Sequence, residues 1–318
     1  MRFSLWLWPY GRWGGIGGMV DAARRAEEVG FHSISISDHT IRPTGPEGEG
    51  LMDEWPDWAV LSGALAMSTT RLRIVACVVI PYRHPVTSAK QISTIDWLSH
   101  GRLTLAACVG WLEQEYAVLG VPFGRRGKIT DEYLEAMRRL WTEDEPRFEG
   151  SHVSFSDLRF EPKCHQQPHV PIWVAGGDGP KSIDRTIRIG DGWMPMGNDK
   201  PEALAKTIAR IQEGVARAGR DPSALTFRYT IGLGESERAL GLLSGEIARA
   251  GGGIESDDPS STPVFRGSPD EVATAVERYA AAGFTELAIN PAGRSFEECM
   301  DRVDWFAAEV LPLLGTDY

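Results

Sequence analysis

The sequence predicts an α/β fold, a (β/α)8 TIM barrel with insertions in the loops after the fourth and seventh strand–helix units. Across 318 residues, eight short apolar or alternating runs of strand length take turns with helical patterns. Several of the runs are apolar throughout, as strands buried on both faces of a parallel sheet are. A doubly wound sheet would need a Gly-x-Gly-x-x-Gly turn after its first strand, and the Gly-rich stretch Gly11–Gly18 lacks that spacing. The chain reads as one domain, residues 1–318, with irregular segments at about 143–171 and 234–266.

Taken in order, Phe3–Trp8 is an apolar strand stopped by Pro9. Ser4, Trp6 and Trp8 share one of its faces, and Phe3, Leu5 and Leu7 the other. Met19–Val29 carries Ala22, Ala23, Ala26 and Val29 on one helical stripe, with Gly30 past its end. Phe31–Ser37 is the second strand, closed by Asp38-His39 and followed by a Pro/Gly-rich loop, Ile41–Gly50. Ala59–Thr69 is a small-residue helix. Leu72–Ile80 is the third strand, stopped by Pro81, and Pro85–Leu98 a helix closing at Gly101. The fourth strand, Leu103–Val109, lies between Gly101 and Gly110. Thr130 is placed to cap the helix that carries Leu134, Met137, Leu140 and Trp141. Ile172–Ala175, Gly192–Met196, Thr226–Leu233 and Leu287–Asn290 are strands five to eight. Among them Pro180 opens a helix as its first residue, Pro201–Arg217 is amphipathic, and Ser268-Pro269-Asp270-Glu271 is a capped helix start. Phe296–Leu314 closes the chain.

Composition narrows the function. The net charge is −11 and the basic residues are dispersed, which excludes the basic face or stripe that nucleic acid selects. No apolar run approaches a bilayer span, and the N-terminal apolar patch is too short for a signal peptide's core. The four cysteines, at 77, 108, 164 and 299, are too scattered for a disulfide framework, so reduced thiols in a cytoplasm are expected. Eleven tryptophans, several at strand ends, suit a planar aromatic ligand.

In a barrel, ligands sit at the carboxyl ends of the strands. The stretch Leu98–Tyr116 reads as the wall of a cofactor pocket: Ala106, Ala107 and Gly110 keep the backbone bare for a flat ring, and Trp111, Glu113 and Glu115 follow. His39, at the end of the second strand, is the candidate acid–base residue, and Asp38 orients or hydrogen-bonds the cofactor. The plainer alternative is that the two simply pair or cap a loop. Gly176-Gly177, ahead of a Pro-started helix, either present backbone N–H groups to a phosphate or make a tight turn. Trp6, Trp8 and Trp111 are pocket walls or plain core. Cys77 and Cys108 are small packing residues, not nucleophiles. Cys164, His165 and His169 have a loosely zinc-like spacing without a fourth ligand, so no metal site is expected.

Several motifs fall in a fixed order: Asp38-His39, Pro81–Pro85 (PYRHP), Leu98–Arg102 (LSHGR), Gly110-Trp111, Val121-Pro122-Phe123 with Arg126, Pro171–Gly177 (PIWVAGG) and Gly190–Trp193. In this the sequence resembles the bacterial-luciferase-like monooxygenase family, within it the oxidoreductases that depend on the deazaflavin coenzyme F-420. The resemblance implies a barrel with the cofactor ring at the carboxyl ends of the strands. It also implies a non-prolyl cis peptide behind the ring, at Cys77-Val78. The expected cofactor contacts are Asp38, Cys77, Val78, Ala107, Cys108, Gly110, Trp111, Glu115, Gly176 and Gly177, with Trp6 and Trp8 on the substrate side and His39 catalytic. A deazaflavin carries hydride and activates oxygen poorly, so the expected reaction is hydride transfer to or from a small organic substrate. Arg42, Arg83, Lys181 and Arg185 would gather the acidic tail of the coenzyme. The alternatives are an FMN-dependent monooxygenase and, from another class, a non-catalytic flavin-binding barrel. A metal-dependent hydrolase would need a His-x-His pair on the first strand, which is absent. The expected partners are a small-molecule substrate and a second copy in a homodimer.

Overall fold

The structure is a computed structural model, and it describes all residues except 9, 46–47, 49–52, 197–199, 235–263, 266, 292, 294 and 316–318. Eight strands close a parallel barrel. They are β1 (Arg2–Trp6), β2 (Ser33–Ser37), β3 (Arg73–Val79), β4 (Leu103–Cys108), β7 (Ile172–Ala175), β8 (Gly192–Met194), β9 (Thr226–Leu233) and β11 (Glu286–Pro291). The barrel closes through β8 against β9 and β11 against β1. A two-residue pair, β5 (Phe148–Glu149) with β6 (Ser154–Phe155), lies in the irregular 143–171 segment, and β10 (Val264–Phe265) extends β9. Most of the 234–266 segment lies outside the described residues.

The helices α1 (Gly15–Glu28), α2 (Trp58–Ser68), α3 (Pro85–Leu98), α4 (Glu113–Leu119), α5 (Arg126–Thr142), α6 (Pro180–Ile189), α7 (Pro201–Arg217), α8 (Pro269–Ala281) and α9 (Phe296–Trp305) fill the outer ring. Among the described residues no helix is long and apolar enough to cross a membrane. Strand alternation sorts the core into two layers. Ile74, Ala76, Val78, Leu105 and Ala107 face the helices. Val75, Cys77, Ala106, Trp173, Ala175 and Met194 pack inside the barrel. Below them Arg228, wholly buried, stands 3.3 Å from Glu286 and donates to the hydroxyls of Ser4 and Ser35, so the lower lumen is polar.

Three expectations are corrected. Thr130 lies inside α5, its hydroxyl donating to the Arg126 carbonyl, because the helix starts directly from the Phe123–Arg125 turn. The closing helix is not continuous: α9 ends at Trp305, a π turn spans Phe306–Val310, and Leu311–Leu314 tightens around Pro312. The peptide bonds from Val75 to Val79 are trans; among the described residues the cis bonds are Glu161-Pro162 and Gln167-Pro168. A bulge has no room there, because β3 keeps unbroken register with β2 and with β4 through Cys77.

The LSHGR motif is structural. His100 and Gly101 turn the chain with positive φ, and the buried Arg102 guanidinium caps carbonyls of Ala66, Thr69, Leu72 and Ser99, tying the end of α2 to the start of β4. Glu27, at the end of α1, plays a matching part with opposite charge. Its carboxylate accepts the backbone N–H groups of Thr70, Arg71 and Leu72 just before β3. Burial pushes this carboxyl up, but those donors outweigh it and hold it down at about 2. The folded group therefore binds its proton more weakly than the unfolded one, near 4.3. Its stabilisation is complete above the unfolded value and is lost as pH falls toward about 2. Glu27→Gln is expected to lower the urea midpoint at pH 7, with the gap to wild type closing in acid.

Candidate active site

The parallel register gathers distant residues at one rim. Ser37 pairs with Cys77, Cys77 with Ala106, and Cys108 with Ala175, so Asp38, Cys77, Gly110 and Gly176 all lie at the carboxyl ends of neighbouring strands. Gly110 turns the chain after β4 with φ 69°, and a Cβ there would lie 2.7 Å from Val79 and 2.8 Å from the Tyr116 hydroxyl. No other residue fits.

The centre of the rim is Glu115. It sits in the first turn of α4, fully buried, and turns away from its own helix. His39 Nδ1 donates to its Oε2 at 2.8 Å, and the Tyr82 hydroxyl donates to the same oxygen at 2.5 Å. Thr40, through its N–H and its hydroxyl, and the Ile41 N–H donate to Oε1. Burial pushes the Glu115 carboxyl up, but the donors led by His39 outweigh it and keep it below its usual range. Tyr82 is pushed far up by burial and by Glu115, so its hydroxyl keeps its proton. The polarity of the chain follows: Tyr82 and His39 Nδ1 both donate to the carboxylate. Trp55 stands edge-on to the His39 ring at 4.4 Å and Trp111 at 5.9 Å, walling it with indole.

Asp38 lies at the rim beside His39 and is tied to the framework. Its carboxylate takes a two-pronged hydrogen bond from Arg83, at 2.7 and 2.9 Å, and one from the Val79 N–H. Burial pushes it up and Arg83 opposes that. It holds the end of β2 against the turn after β3 through three hydrogen bonds. Tyr82 and Arg83, neighbours in that turn, thus clamp the two acids that frame His39.

Cys77 and Cys108 do face the lumen, and burial holds both thiols protonated, Cys77 at about 11 and Cys108 well above its ordinary value. Val78 and Ala107 point the other way, into the helix layer, because alternate residues of a strand face opposite sides; only their backbone borders the lumen. Trp6 stacks obliquely on Trp8 at 6.0 Å, and its indole N–H is buried without a partner. Gly176 and Gly177 precede α6, and the buried Ser182 hydroxyl beside Gly176 has no partner. The basic groove is not assembled. Arg83 is held by Asp38, Arg185 is buried against Asp131 and the Gly127 carbonyl, and Arg42 pairs with Asp53, leaving Lys181 as the exposed cation at the start of α6. Cys164 is buried, while His165 packs on Trp97 and His169 bonds the Val170 carbonyl, so the three do not converge.

Trp55, Thr40 and Asn290 were not singled out by the sequence. Asn290 is buried on β11, two residues beyond Ala288 and four beyond Glu286 on the lumen side, and neither amide atom has a partner. A polar residue ending an otherwise apolar strand was the available signal. Trp55 and Thr40 lie in irregular chain with no periodicity to mark them.

The chain belongs to the luciferase-like monooxygenase family, whose pattern matches residues 6–234. It is 28% identical over 297 residues to an FMNH2-dependent dimethylsulfone monooxygenase of Pseudomonas putida, covering 92% of this chain and 75% of that one. It is also 28% identical to an F-420-dependent glucose-6-phosphate dehydrogenase of Kineococcus radiotolerans, covering 94% and 93%. A monooxygenase from Streptomyces bottropensis superposes with a TM-score of 0.80 at 25% identity, over 99% of this chain and all of that one. An F-420-dependent secondary alcohol dehydrogenase shares the fold, with a TM-score of 0.80 at 21% identity over 99% of both chains. The protein is therefore an enzyme of the flavin- and deazaflavin-dependent oxidoreductases.

Removing the Tyr82 hydroxyl tests the clamp. Tyr82→Phe keeps the ring contact with Tyr116 but withdraws one donor from a buried carboxylate, which is expected to cost about 1.5–3 kcal/mol in urea unfolding. Stability unchanged within error would show that Glu115 is held by the 39–41 loop alone.

Proposed function

We propose that the enzyme moves a hydride between coenzyme F-420 and a small, uncharged organic substrate, with His39 handling the accompanying proton. The observation that carries this is the Tyr82–Glu115–His39 chain, which fixes one imidazole nitrogen as a donor and leaves the other for the substrate. A redox reaction that interconverts a hydroxyl and a carbonyl needs such a group; the coenzyme, when bound, supplies the two-electron hydride chemistry. Glu115 stabilises the imidazolium that forms when His39 takes a proton and releases it on the return step. Trp55 and Trp111 exclude water from the ring.

The residues present fit a ring with a phosphate-bearing side chain. Trp6 Nε1, the Asn290 amide and the Ser182 hydroxyl are buried and unpartnered, and the bare Gly110 and Gly176 leave backbone accessible. In this reading Cys77, Cys108, Gly110 and Trp111 border the ring, Gly176, Gly177 and Ser182 receive the phosphate, and Trp6 and Trp8 face the substrate. Asp38, Val78 and Ala107 act from behind as framework. The F-420-dependent relative spans nearly the full length of both chains, which supports the deazaflavin. The FMNH2-dependent relative at equal identity supports a second reading, an FMN monooxygenase on the same rim.

Two measurements test this. Titration of the apoprotein with F-420 and with FMN, followed by tryptophan fluorescence, is expected to show F-420 binding more tightly; tight FMN binding with none for F-420 would reverse the assignment. With the preferred cofactor, His39→Ala is expected to leave cofactor affinity nearly intact and to lower turnover by about 10²–10⁴-fold. His39→Asn, which keeps hydrogen bonding without titrating, should lose a similar factor. Wild-type turnover in His39→Ala would leave His39 a mere cofactor contact.

A further inference from the structure

The opposite end of the barrel is not plugged. A cavity of about 680 Å³ enters between the strand starts, reaching up to Val75 and Trp173 of the lumen. Barrel interiors are ordinarily filled by side chains, and this volume is in the range of a metabolite site. Its wall carries five guanidinium groups, from Arg2, Arg73, Arg138, Arg188 and Arg220, and the imidazoles of His32 and His169. The wall carboxylates are Asp191 and Glu286. In a chain of net charge −11 this is a concentration of positive charge.

The bland account is that these arginines serve the fold, and for two of them it holds in part. Arg220 donates to the Thr186, Ile187 and Gly190 carbonyls at the end of α6, and Arg188 pairs with Asp184 and Asp131. Helix ends at this face attract such cations. The strand-borne groups have no helix end to serve. Arg73 makes four hydrogen bonds, to the Gly101 and Leu103 carbonyls, the Thr104 hydroxyl and the Gln166 amide oxygen, all neutral. Arg2 donates to the Thr226 hydroxyl and stands 3.7 Å from Glu286. His32, half-buried near the charges of Glu286, Arg2 and Arg73, makes no hydrogen bond through its ring among the described residues. Among the described residues the Arg138 guanidinium pairs with Glu135 of its own helix and with no other carboxylate.

We infer that this cavity is a second binding site, separate from the rim that holds His39, for a small molecule bearing a phosphate group. Planar guanidinium groups lining one cavity from two strands, two helices and the chain after α7 suit a phosphate's several oxygens, and the Thr104, Thr226 and Gln167 side chains offer polar contacts to the rest of such a molecule. Trp173 forms the ceiling, shared with the lumen core beneath Cys77, so occupancy is adjacent to the packing that supports the upper rim. The site does not depend on which cofactor the enzyme uses.

Calorimetric titration of the whole chain with inorganic pyrophosphate, then with inorganic phosphate, tests it. One saturable site is expected, with pyrophosphate tighter and both weakened as salt is raised from low to physiological strength. Arg138→Ala with Arg188→Ala, both partly exposed helix-surface positions, is expected to weaken binding at least tenfold. His32→Ala, which breaks no hydrogen bond, is expected to weaken it severalfold and guards against a folding defect in the double variant. Arg24→Ala with Arg210→Ala, away from the cavity, should change nothing. Absence of saturable heat at millimolar pyrophosphate would overturn the inference. So would equal losses in the cavity and control variants, which would mark the binding as nonspecific.

Discussion

A carboxylate taken out of water has to find donors, and Glu115 finds five, on the loop after β2 and the turn after β3. The desolvation of that charge is severe, so the donors are not interchangeable extras; without them the group would take a proton or the loop would open. Meeting this demand places the rest. It draws residues 39–41 toward α4, fixes the His39 ring by its Nδ1, and sets Tyr82 within reach. The neighbouring ion pair, Asp38 with Arg83, holds the backbone of the same loop from the other side. Consecutive residues of one short turn, Tyr82 and Arg83, thus hold Glu115, which grips the His39 ring, and Asp38, which precedes it. A group meant only to fill space does not require this.

The barrel contributes in two ways. Parallel register brings residues 38, 77, 110 and 176 to one rim although the sequence spreads them widely. Strand alternation then decides which side chains meet the lumen: Cys77 and Cys108 do, Val78 and Ala107 do not. Beneath them, the Arg228–Glu286 pair with Ser4, Ser33 and Ser35 forms a polar layer, and Ser33 and Glu286 also line the lower cavity. Such a pair adds little net stability over an apolar core, but breaking one half of it would strand a buried charge.

Much of this was legible in the sequence because it rests on local signals. Pro180 and Pro201 opened helices where a missing N–H is harmless, the Ser268 capping box formed as written, and Thr226–Leu233 became a strand with those bounds. His39, Glu115 and Gly110 were found by their place after strand ends. What failed were features set by distant contacts. Thr130 looked like a cap because it precedes an apolar stripe, but the helix had already begun in the Phe123–Arg125 turn. Arg185 looked like a tail ligand, but Asp131, far off in sequence, had claimed it. The strand-three bulge was inherited from resemblance, and the register on both flanks of Cys77 leaves no extra residue to form one.

Asp38 shows how distant partners add a structural part that the sequence does not reveal. An acid beside His39 invites an assignment to cofactor or proton chemistry. Its oxygens, however, are spent on Arg83 and on the Val79 N–H, at the point where β3 gives way to its turn. A carboxylate so occupied gains more by staying bound than by turning to a ligand, since leaving would strand the half-buried Arg83 charge as well. In the reaction proposed above, the proton is accordingly assigned to His39 and not to Asp38. Glu115 sets the orientation of that imidazole by accepting from its Nδ1.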